Sequence, residues 1–331
     1  MIYSLLRQYP NIMMAAGALF CFAATAFFLV KLMDKLPADE GREFAVEGKL
    51  SKGKPRGAGV IFVSAFIIGA LLFSPIDFEN WIYLGLVLIE MITGYLDDRS
   101  SMPWGRLKKG LLDLGVALIM SFTYLHYNVS VIHFGTYGEL IHIPVWLFYV
   151  LVVVLVWVSI NVTNCADGVD GLSGTLTLVT LTAFLCADNF PGRDVTGNSF
   201  RIGGFKYIIV MFAMALLAYL WFNAGPSILM MGDAGSRAMG MFIAVVALKS
   251  GHPILYIPFA LVLILDGGLG LFKVTMIKLT KNKDFMKKCR TPLHDHVRKN
   301  FETKWSNNQC VMRFATIQAV ICIVTIYVFR R

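Results

Sequence analysis

Residues 144–162, PVWLFYVLVVVLVWVSINV, form an unbroken apolar run, and a group of Asn and Asp side chains follows where it ends. The run carries no charge and is close to the roughly 20 residues that a helix needs to cross a bilayer core of about 30 Å. Ten stretches qualify in this way: 12–33, 57–74, 80–96, 110–127, 144–162, 172–188, 205–222, 236–250, 254–279 and 310–329. The sequence therefore predicts ten transmembrane helices in a single integral membrane domain that covers residues 1–331.

The composition agrees with this fold class. Of the 331 residues, 57% are hydrophobic and 15% are charged, whereas a soluble domain carries roughly 25% charged residues. A soluble globule of this size needs a polar surface that the chain cannot supply, and a disordered chain is excluded by the hydrophobicity. We expect an all-α polytopic membrane protein with no nucleic-acid partner.

The distribution of Lys and Arg predicts the orientation in the membrane. Most of these residues fall in the odd-numbered connections between the predicted spans. Because cytoplasmic loops carry the excess of Lys and Arg, we expect those connections in the cytoplasm and both termini outside. On the outer side, apolar residues alternate around Gly135 and Gly138 in 128–143, which predicts a short β-hairpin on the membrane surface.

Acidic residues stand at the cytoplasmic ends of two predicted spans. Asp97 and Asp98 follow the third span, and adjacent carboxylates repel each other unless a cation holds them. The alternative is that they only cap the helix. Asp233, between Gly232 and Gly235 at the start of the eighth span, is by itself best explained as an N-cap. Together with the other acids it becomes a candidate metal ligand.

A second polar group follows the fifth predicted span. Its members recur every third residue: Asn161, Asn164, Asp167 and Asp170. Up to Gly168 this spacing keeps them close to one helical face, and the glycines then free the backbone to turn toward a ligand. A polar turn without a ligand is the alternative, but it does not need two Asn and two Asp at regular spacing. This segment is the most specific functional signal in the chain.

A histidine pair lies in the basic connection 280–309, within Pro292-Leu-His294-Asp-His296. Zinc ligands usually have a different spacing. An exposed turn and a pair of donors to phosphate oxygens both remain open.

The ninth predicted span is interrupted by Asp266-Gly267-Gly268. The Gly pair predicts a bend in that helix. An acid at membrane depth usually faces protein or water, so we favour a structural tie between Asp266 and a neighbour over a catalytic role.

Taken together, these groups favour an enzyme over a transporter. Clustered carboxylates select Mg²⁺ or Mn²⁺, and the surrounding Lys and Arg match a polyanionic substrate. Phosphoryl transfer at the membrane surface uses all of these parts. An ion-coupled transporter would make use of Asp266 near the midplane, but the other acids gather at one membrane face.

The motifs resemble one enzyme family in their order along the chain. They are Asp97-Asp98, the Asn161–Asp170 segment, Met231-Gly-Asp-Ala-Gly-Ser236 and Pro292-Leu-His-Asp-His296. This pattern resembles the polyprenyl-phosphate N-acetylhexosamine-1-phosphate transferase superfamily, and most of all its phospho-MurNAc-pentapeptide transferase branch. The chain departs from that pattern in two places. Lys54-Pro-Arg-Gly-Ala-Gly59 stands where the family has Thr-Pro-Thr-Met-Gly-Gly, and Asp295 is the middle residue of its triple histidine.

The resemblance implies Mg²⁺-dependent transfer of phospho-MurNAc-pentapeptide from UDP-MurNAc-pentapeptide to undecaprenyl phosphate. The products would be lipid I and UMP, the first membrane step of peptidoglycan synthesis. It implies a multi-pass protein of the bacterial plasma membrane, among membrane lipids, with its active site on the cytoplasmic face. A transferase for UDP-GlcNAc is the related alternative, and the sequence leaves a homodimer open.

The resemblance also implies roles for single residues. The catalytic residues would be Asp97, Asp98, Asp233, His294 and His296. Asp233 would hold Mg²⁺, with Asp97 and Asp98 nearby. The substrate-binding residues would be Lys52, Lys108, Asn161, Asn164, Asp167, Asp170 and Asn223.

Overall fold

The chain is mostly helical in the computed structural model, which describes residues 3, 8–41, 51–100, 102–134, 139–187, 203–300 and 304–329. The helices are α1 (Pro10–Leu32), α2 (Gly59–Phe73), α3 (Phe78–Asp98), α4 (Arg106–Tyr127), α5 (Val145–Ala166), α6 (Leu172–Cys186), α7 (Phe205–Asn223), α8 (Gly232–Lys249), α9 (Tyr256–Phe259), α10 (Leu261–Thr280), α11 (Leu293–Lys299) and α12 (Asn307–Phe329). Single 3-10 turns, Met33–Lys35 and Pro253–Leu255, follow α1 and precede α9.

Several of these helices are long and apolar enough to cross a membrane. Five pass that test among the described residues: α1 with its 3-10 turn, α4, α5, α7 and α12. A sixth candidate is the bent pair that ends in α10. The protein is therefore a multi-pass membrane protein. Every predicted span falls on a helix. However, α2 and α6 are shorter than the length expected of a membrane span, and α3 carries four acids. The ten crossings and the outer position of both termini therefore stay predictions.

Helix α8 forms the centre of the bundle, and nearly all of its residues are buried. It packs against α3, α5 and α2. Gly94 allows α3 to approach α8, because a Cβ atom at Gly94 would lie 2.4 Å from the carbonyl oxygen of Asp233. The third and eighth helices therefore meet at the point where their acidic residues lie.

A β-hairpin connects α4 and α5 in the segment for which one was expected. β1 (Val131–Phe134) pairs antiparallel with β2 (Glu139–His142), with Val131 opposite His142. The side of the membrane on which it lies stays a prediction. Its turn, 135–138, lies outside the described residues, as do Arg42 and Lys49 of the connection that is predicted to be the first cytoplasmic one.

The ninth predicted span is broken, but at a different place from the one expected. The chain bends by 85° between Phe259 and Leu261, whereas Gly267 and Gly268 lie inside α10. The freed backbone groups at the bend find side-chain partners: Gln318 accepts a hydrogen bond from the Val262 N–H at 2.7 Å.

Gly267 serves close packing instead of bending. A Cβ atom there would lie 2.0 Å from the carbonyl oxygen of Val162 in α5. The prediction of a bend at the Gly pair was therefore wrong, because the missing Cβ of Gly267 makes room for α5.

Candidate active site

Three carboxylates from two helices meet at one end of the bundle: Asp97 and Asp98 at the end of α3, and Asp233 in the first turn of α8. We call these three residues the acidic cluster. Asp98 accepts hydrogen bonds from the backbone N–H groups of Asp233 and Ala234, each at 3.0 Å. Helix α8 begins at Gly232 with Met231 as its N-cap residue, so the N-cap explanation of Asp233 was wrong. The cap comes from another helix.

Two basic side chains lie between these carboxylates. Lys109 contacts Asp97 at 2.5 Å and Asp233 at 2.7 Å. Arg56 contacts Asp98 at 2.9 Å, Asp233 at 3.3 Å and also Asp39 at 3.5 Å. Each basic group thus bridges α8 to a carboxylate from another part of the chain.

Backbone pairing holds Arg56 in this position. The N–H of Met230 donates to the carbonyl of Pro55 at 2.8 Å, and the N–H of Ala58 donates back to the carbonyl of Met230 at 3.0 Å. The loop that precedes α2 is therefore fixed along the loop that precedes α8. Because Arg56 lies between these two bonds, its side chain enters the acidic cluster.

Two acids of the cluster, Asp98 and Asp233, differ in pKa, and the basic groups keep the pKa of Asp233 the lower of the two. Burial and the nearby Asp233 raise the pKa of Asp98 to about 6, although Arg56 and the two N–H donors act in the opposite direction. Burial also disfavours the charged form of Asp233, but Lys109 and Arg56 outweigh it and lower the pKa of Asp233 to about 2. Asp233 is thus ionised at neutral pH, while Asp98 titrates near 6.

The segment after α5 forms one wall of the site. Asn164 donates a hydrogen bond to Ser236 of α8 at 2.9 Å. Asp170 accepts from the backbone N–H of Ser227 at 3.1 Å and lies 3.7 Å from Lys54. Asn164 therefore joins α5 to α8, and Asp170 joins the segment after α5 to the loops that precede α2 and α8.

Three other predicted residues are engaged within the protein. Asn223 accepts from the Gly171 N–H at 2.8 Å and donates to a backbone carbonyl. Asp167 accepts from Ser173 at 2.7 Å. Asn161 lies a turn deeper than Asn164 and donates to a buried carboxylate of α4. The regular spacing thus does not bring all four members of the segment to the acidic cluster.

The histidines lie in α11, and His294 packs beside the segment that follows α5. His294 Nδ1 is 2.8 Å from Asp266, whose carboxylate also accepts from the His294 backbone N–H at 2.8 Å. His294 Nε2 faces Gly168, where a Cβ atom would lie 2.4 Å away. His296 accepts from the Arg290 N–H at 3.2 Å through Nδ1. Asp266 is thus tied to a neighbour, as we favoured, and that neighbour is a candidate catalytic residue.

The structure places different cations near the acids from those the sequence indicated. Lys52 is exposed, and Lys108 lies over the ring of Trp104, 3.3 Å from its centroid. Arg56 and Lys109 were missed. The departure at Lys54–Gly59 was a signal for Arg56, whereas nothing in the sequence decides which of two adjacent lysines faces inward.

The oxygen-rich acidic cluster has the donor chemistry of a hard cation site. In the parts of the chain that the structure describes, however, no three His, Cys, Asp or Glu side chains surround one point closely enough to hold a metal ion. The basic groups, not a common centre, determine where these carboxylates point.

Comparison with known proteins shows the family of this chain. Residues 80–251 match the family described as glycosyl transferase family 4. The phospho-N-acetylmuramoyl-pentapeptide-transferase of Treponema pallidum (strain Nichols) is 39% identical over 300 residues, which cover 87% of this chain and 81% of that protein. The chain belongs to glycosyl transferase family 4. It is therefore a transferase, and the family resemblance predicted from its motifs is confirmed.

Two more distant relatives carry the same name. The protein of Listeria welshimeri is 29% identical over 321 residues, which cover 91% of each chain. That of Sulfurimonas denitrificans is 28% identical over 308 residues, which cover 86% of this chain and 84% of the relative. The part of this chain that matches the family contains the whole acidic cluster and Lys109, whereas Arg56 and His294 lie outside it.

Proposed function

We propose that this family member transfers phospho-MurNAc-pentapeptide from UDP-MurNAc-pentapeptide to undecaprenyl phosphate, and so makes lipid I and UMP for peptidoglycan synthesis. The reaction would take place at the cytoplasmic face of the bacterial plasma membrane. The observation that carries the proposal is the meeting of Asp97, Asp98 and Asp233 around Arg56 and Lys109 at one end of a membrane-spanning bundle. The names of the relatives supply the donor sugar and the role in the cell wall.

The charge balance of the site suits Mg²⁺. Four carboxylates, those of the acidic cluster and Asp39, face two basic groups, which leaves an excess of negative charge that a divalent cation would balance. Asp233 would hold the ion, with Asp97 and Asp98 nearby. When bound, Mg²⁺ would supply charge stabilisation to the diphosphate and to the departing UMP.

The protein groups would bind and orient the two phosphate-bearing substrates. An oxygen of the lipid phosphate would attack the β-phosphorus of the UDP-sugar and form a new O–P bond. The bond from that phosphorus to the oxygen shared with the α-phosphorus would break, and its electron pair would leave with UMP. Arg56 and Lys109 are placed to neutralise charge on the phosphates.

Asp98 has two roles open to it in this scheme. The acceptor phosphate has a second pKa of about 6, so at cytoplasmic pH most of it needs no general base. Asp98, whose own pKa is raised to about 6, would position the acceptor and remove the residual proton. His294, held through Nδ1 by Asp266, would frame the sugar-phosphate side together with His296.

A two-step scheme would make an Asp the nucleophile and pass through a phospho-enzyme. The two schemes differ in what happens without the lipid. Incubation with labelled UDP-MurNAc-pentapeptide alone should release no stoichiometric UMP and label no protein. One UMP per enzyme together with labelled protein would contradict direct attack.

The proposed function is tested by UMP release from detergent-solubilised protein. We expect release to require undecaprenyl phosphate and UDP-MurNAc-pentapeptide, to stop on chelation of divalent cations, and to be lost in Asp233→Asn. Asp284→Asn is the matched control, because Asp284 is an exposed loop residue whose side chain pairs with Lys287. A strong preference for UDP-GlcNAc would overturn the choice of substrate, and lipid-independent or metal-independent turnover would overturn the mechanism.

A further inference from the structure

A second set of charged residues lies beneath the acidic cluster and Lys109, on the same three helices, α3, α4 and α8. Arg237 follows Asp233 by four residues on α8, Asp113 follows Lys109 by four on α4, and Glu90 precedes Asp97 by seven on α3. Residues four or seven apart share a helical face. We call Glu90, Asp113 and Arg237 the buried triad.

The buried triad is shielded from solvent and held by short contacts. Its members are 0%, 2% and 2% exposed in the order Glu90, Asp113 and Arg237. Arg237 Nη2 lies 2.9 Å from Glu90 Oε2 and also contacts Asp113. Asn161 donates to the other oxygen of Asp113 at 3.0 Å. One guanidinium thus joins α8 to both α3 and α4.

The polar groups of the triad are only partly satisfied. Among the described residues, Arg237 Nε and Nη1 and Glu90 Oε1 have no hydrogen-bond partner. Apolar side chains of similar volume often hold helices together as well as a buried ion pair does, and sometimes better. Helix packing alone therefore does not explain three charged residues here.

The position of the triad would allow two other ion pairs, Asp113 with Lys109 and Arg237 with Asp233, which would compete with the contacts of the acidic cluster. Residues four apart on a helix are neighbours and form ion pairs. Asp113 is therefore within reach of Lys109, and Arg237 is within reach of Asp233. In the structure neither pair forms: Lys109 binds Asp97 and Asp233, while Arg237 binds Glu90 and Asp113.

We infer that the buried triad is a positioning device that keeps the charges of the two layers apart. Because Arg237 is paired with Asp113, Asp113 does not attract Lys109, and Lys109 can extend to the acidic cluster. Because Arg237 is paired with Glu90 and Asp113, it does not form an ion pair with Asp233, and the Asp233 carboxylate stays in the acidic cluster. Arg237 is thus a positioning residue that acts through Lys109 and Asp233, and the kinetic part of its test rests on the proposed function.

The inference predicts an uncommon pattern of loss and recovery. Arg237→Met frees Asp113 to attract Lys109 and should lower kcat/KM by about tenfold or more. The double variant Glu90→Gln, Asp113→Asn frees Arg237 to attract Asp233 and should lower kcat/KM by a similar factor. The neutral triple variant, Glu90→Gln, Asp113→Asn and Arg237→Met, leaves no competing charge and should return to within about threefold of the unmodified protein. Losses that only accumulate from the single to the triple variant would overturn the inference.

A second measurement does not depend on turnover. The Lys109 side chain is 26% exposed, and in the intact, detergent-solubilised protein the small deprotonated fraction of its amine should react slowly with acetic anhydride, with loss of acetate and of the amine proton to buffer. In Arg237→Met the amine should turn inward to Asp113, so acetylation of Lys109 relative to Lys108 should fall severalfold and recover in the triple variant. Mass spectrometry of peptides reads both lysines in one experiment.

The two measurements separate this inference from the proposed function. A merely structural triad would loosen the bundle when broken, and Lys109 acetylation in Arg237→Met would then rise, which would overturn the inference. Failure of the unmodified protein to release UMP from any donor would overturn the proposed function, while the acetylation pattern would still test the triad.

Discussion

The carboxylate of Asp98 caps the helix that begins beside Asp233, with 3.0 Å hydrogen bonds from the backbone N–H groups of Asp233 and Ala234. The N-terminal end of a helix carries a partial positive charge, so Asp98 is bound by backbone that also carries the next acid of the site. The positions of the two carboxylates are therefore mechanically linked.

This link gives a prediction for the pH dependence of activity. We expect log(kcat/KM) to fall below about pH 6, where Asp98 gains its proton. The charge of Arg56 lowers the pKa of Asp98, so Arg56→Gln should raise that pKa further and move the acidic limb to higher pH. The measurement is a pH–rate profile of UMP release for both proteins.

The acceptor phosphate also titrates near pH 6, and the variant separates the two groups. A limb that stays in place in Arg56→Gln, whatever the height of the plateau, would assign the limb to the lipid phosphate instead of Asp98.

Two adjacent lysines give a matched pair of variants. Lys109→Met removes the group that contacts Asp97 and Asp233 and should lower kcat/KM by about a hundredfold, as for other groups that stabilise charge in the transition state. Lys108→Met removes only an exposed cation over Trp104 and should change kcat/KM by less than about threefold. Steady-state UMP release checks both, and an equal loss in the two variants would contradict the assignment of Lys109.

Two glycines of α3 test whether its close approach to α8 is needed: Gly94 lies at the contact and Gly85 does not. Gly94→Ala would place a methyl group 2.4 Å from the carbonyl oxygen of Asp233, so α3 and α8 must separate at the acidic cluster. We expect a loss of about 1–3 kcal/mol in stability and a large loss of activity. Gly85→Ala meets no atom within 4 Å and should be neutral or stabilising by up to about 1 kcal/mol. Thermal unfolding in detergent and UMP release measure both effects, and retained activity in Gly94→Ala would show that the close approach is dispensable.

The contact between Asp266 and His294 predicts a kinetic signature. Asp266→Asn can still accept from the His294 backbone N–H, but its amide would donate to Nδ1 and so favour the wrong tautomer of the ring. We expect kcat to fall by about tenfold to a hundredfold with little change in KM for the UDP-sugar. Separate measurement of kcat and KM tests this, and a rise in KM alone would assign His294 to ground-state binding.

The sequence was most informative where the physics is local. Apolar runs predicted the positions of the helices, because a chain in a bilayer must satisfy its backbone hydrogen bonds within each segment. The paired acids were recognised because adjacent carboxylates repel each other, and the Asn161–Asp170 segment because a simple polar turn does not need two Asn and two Asp at regular spacing. Family membership followed from the same motifs and was confirmed.

Side-chain partners were less predictable, because they depend on helix rotation and on distant loops. Lys108 and Lys109 are equivalent in the sequence, yet a rotation of about 100° per residue sends one to solvent and the other to the acids. The bend at Phe259 depends on partners such as Gln318, 59 residues farther along the chain. Asp233 resembled an N-cap because the sequence does not show that Asp98, from another helix, accepts the hydrogen bonds at the start of α8.

The sequence alone thus determined the class of this protein, the location of its helices and the acids available for chemistry, since hydrophobicity and motif order are properties of the linear chain. Only the tertiary structure decided which cations meet those acids, which acid caps α8 and how the buried triad lies beneath the site. The reason is that Coulomb interactions act through space: a carboxylate responds to whichever charge the folded helices bring within a few ångströms, irrespective of its distance along the chain.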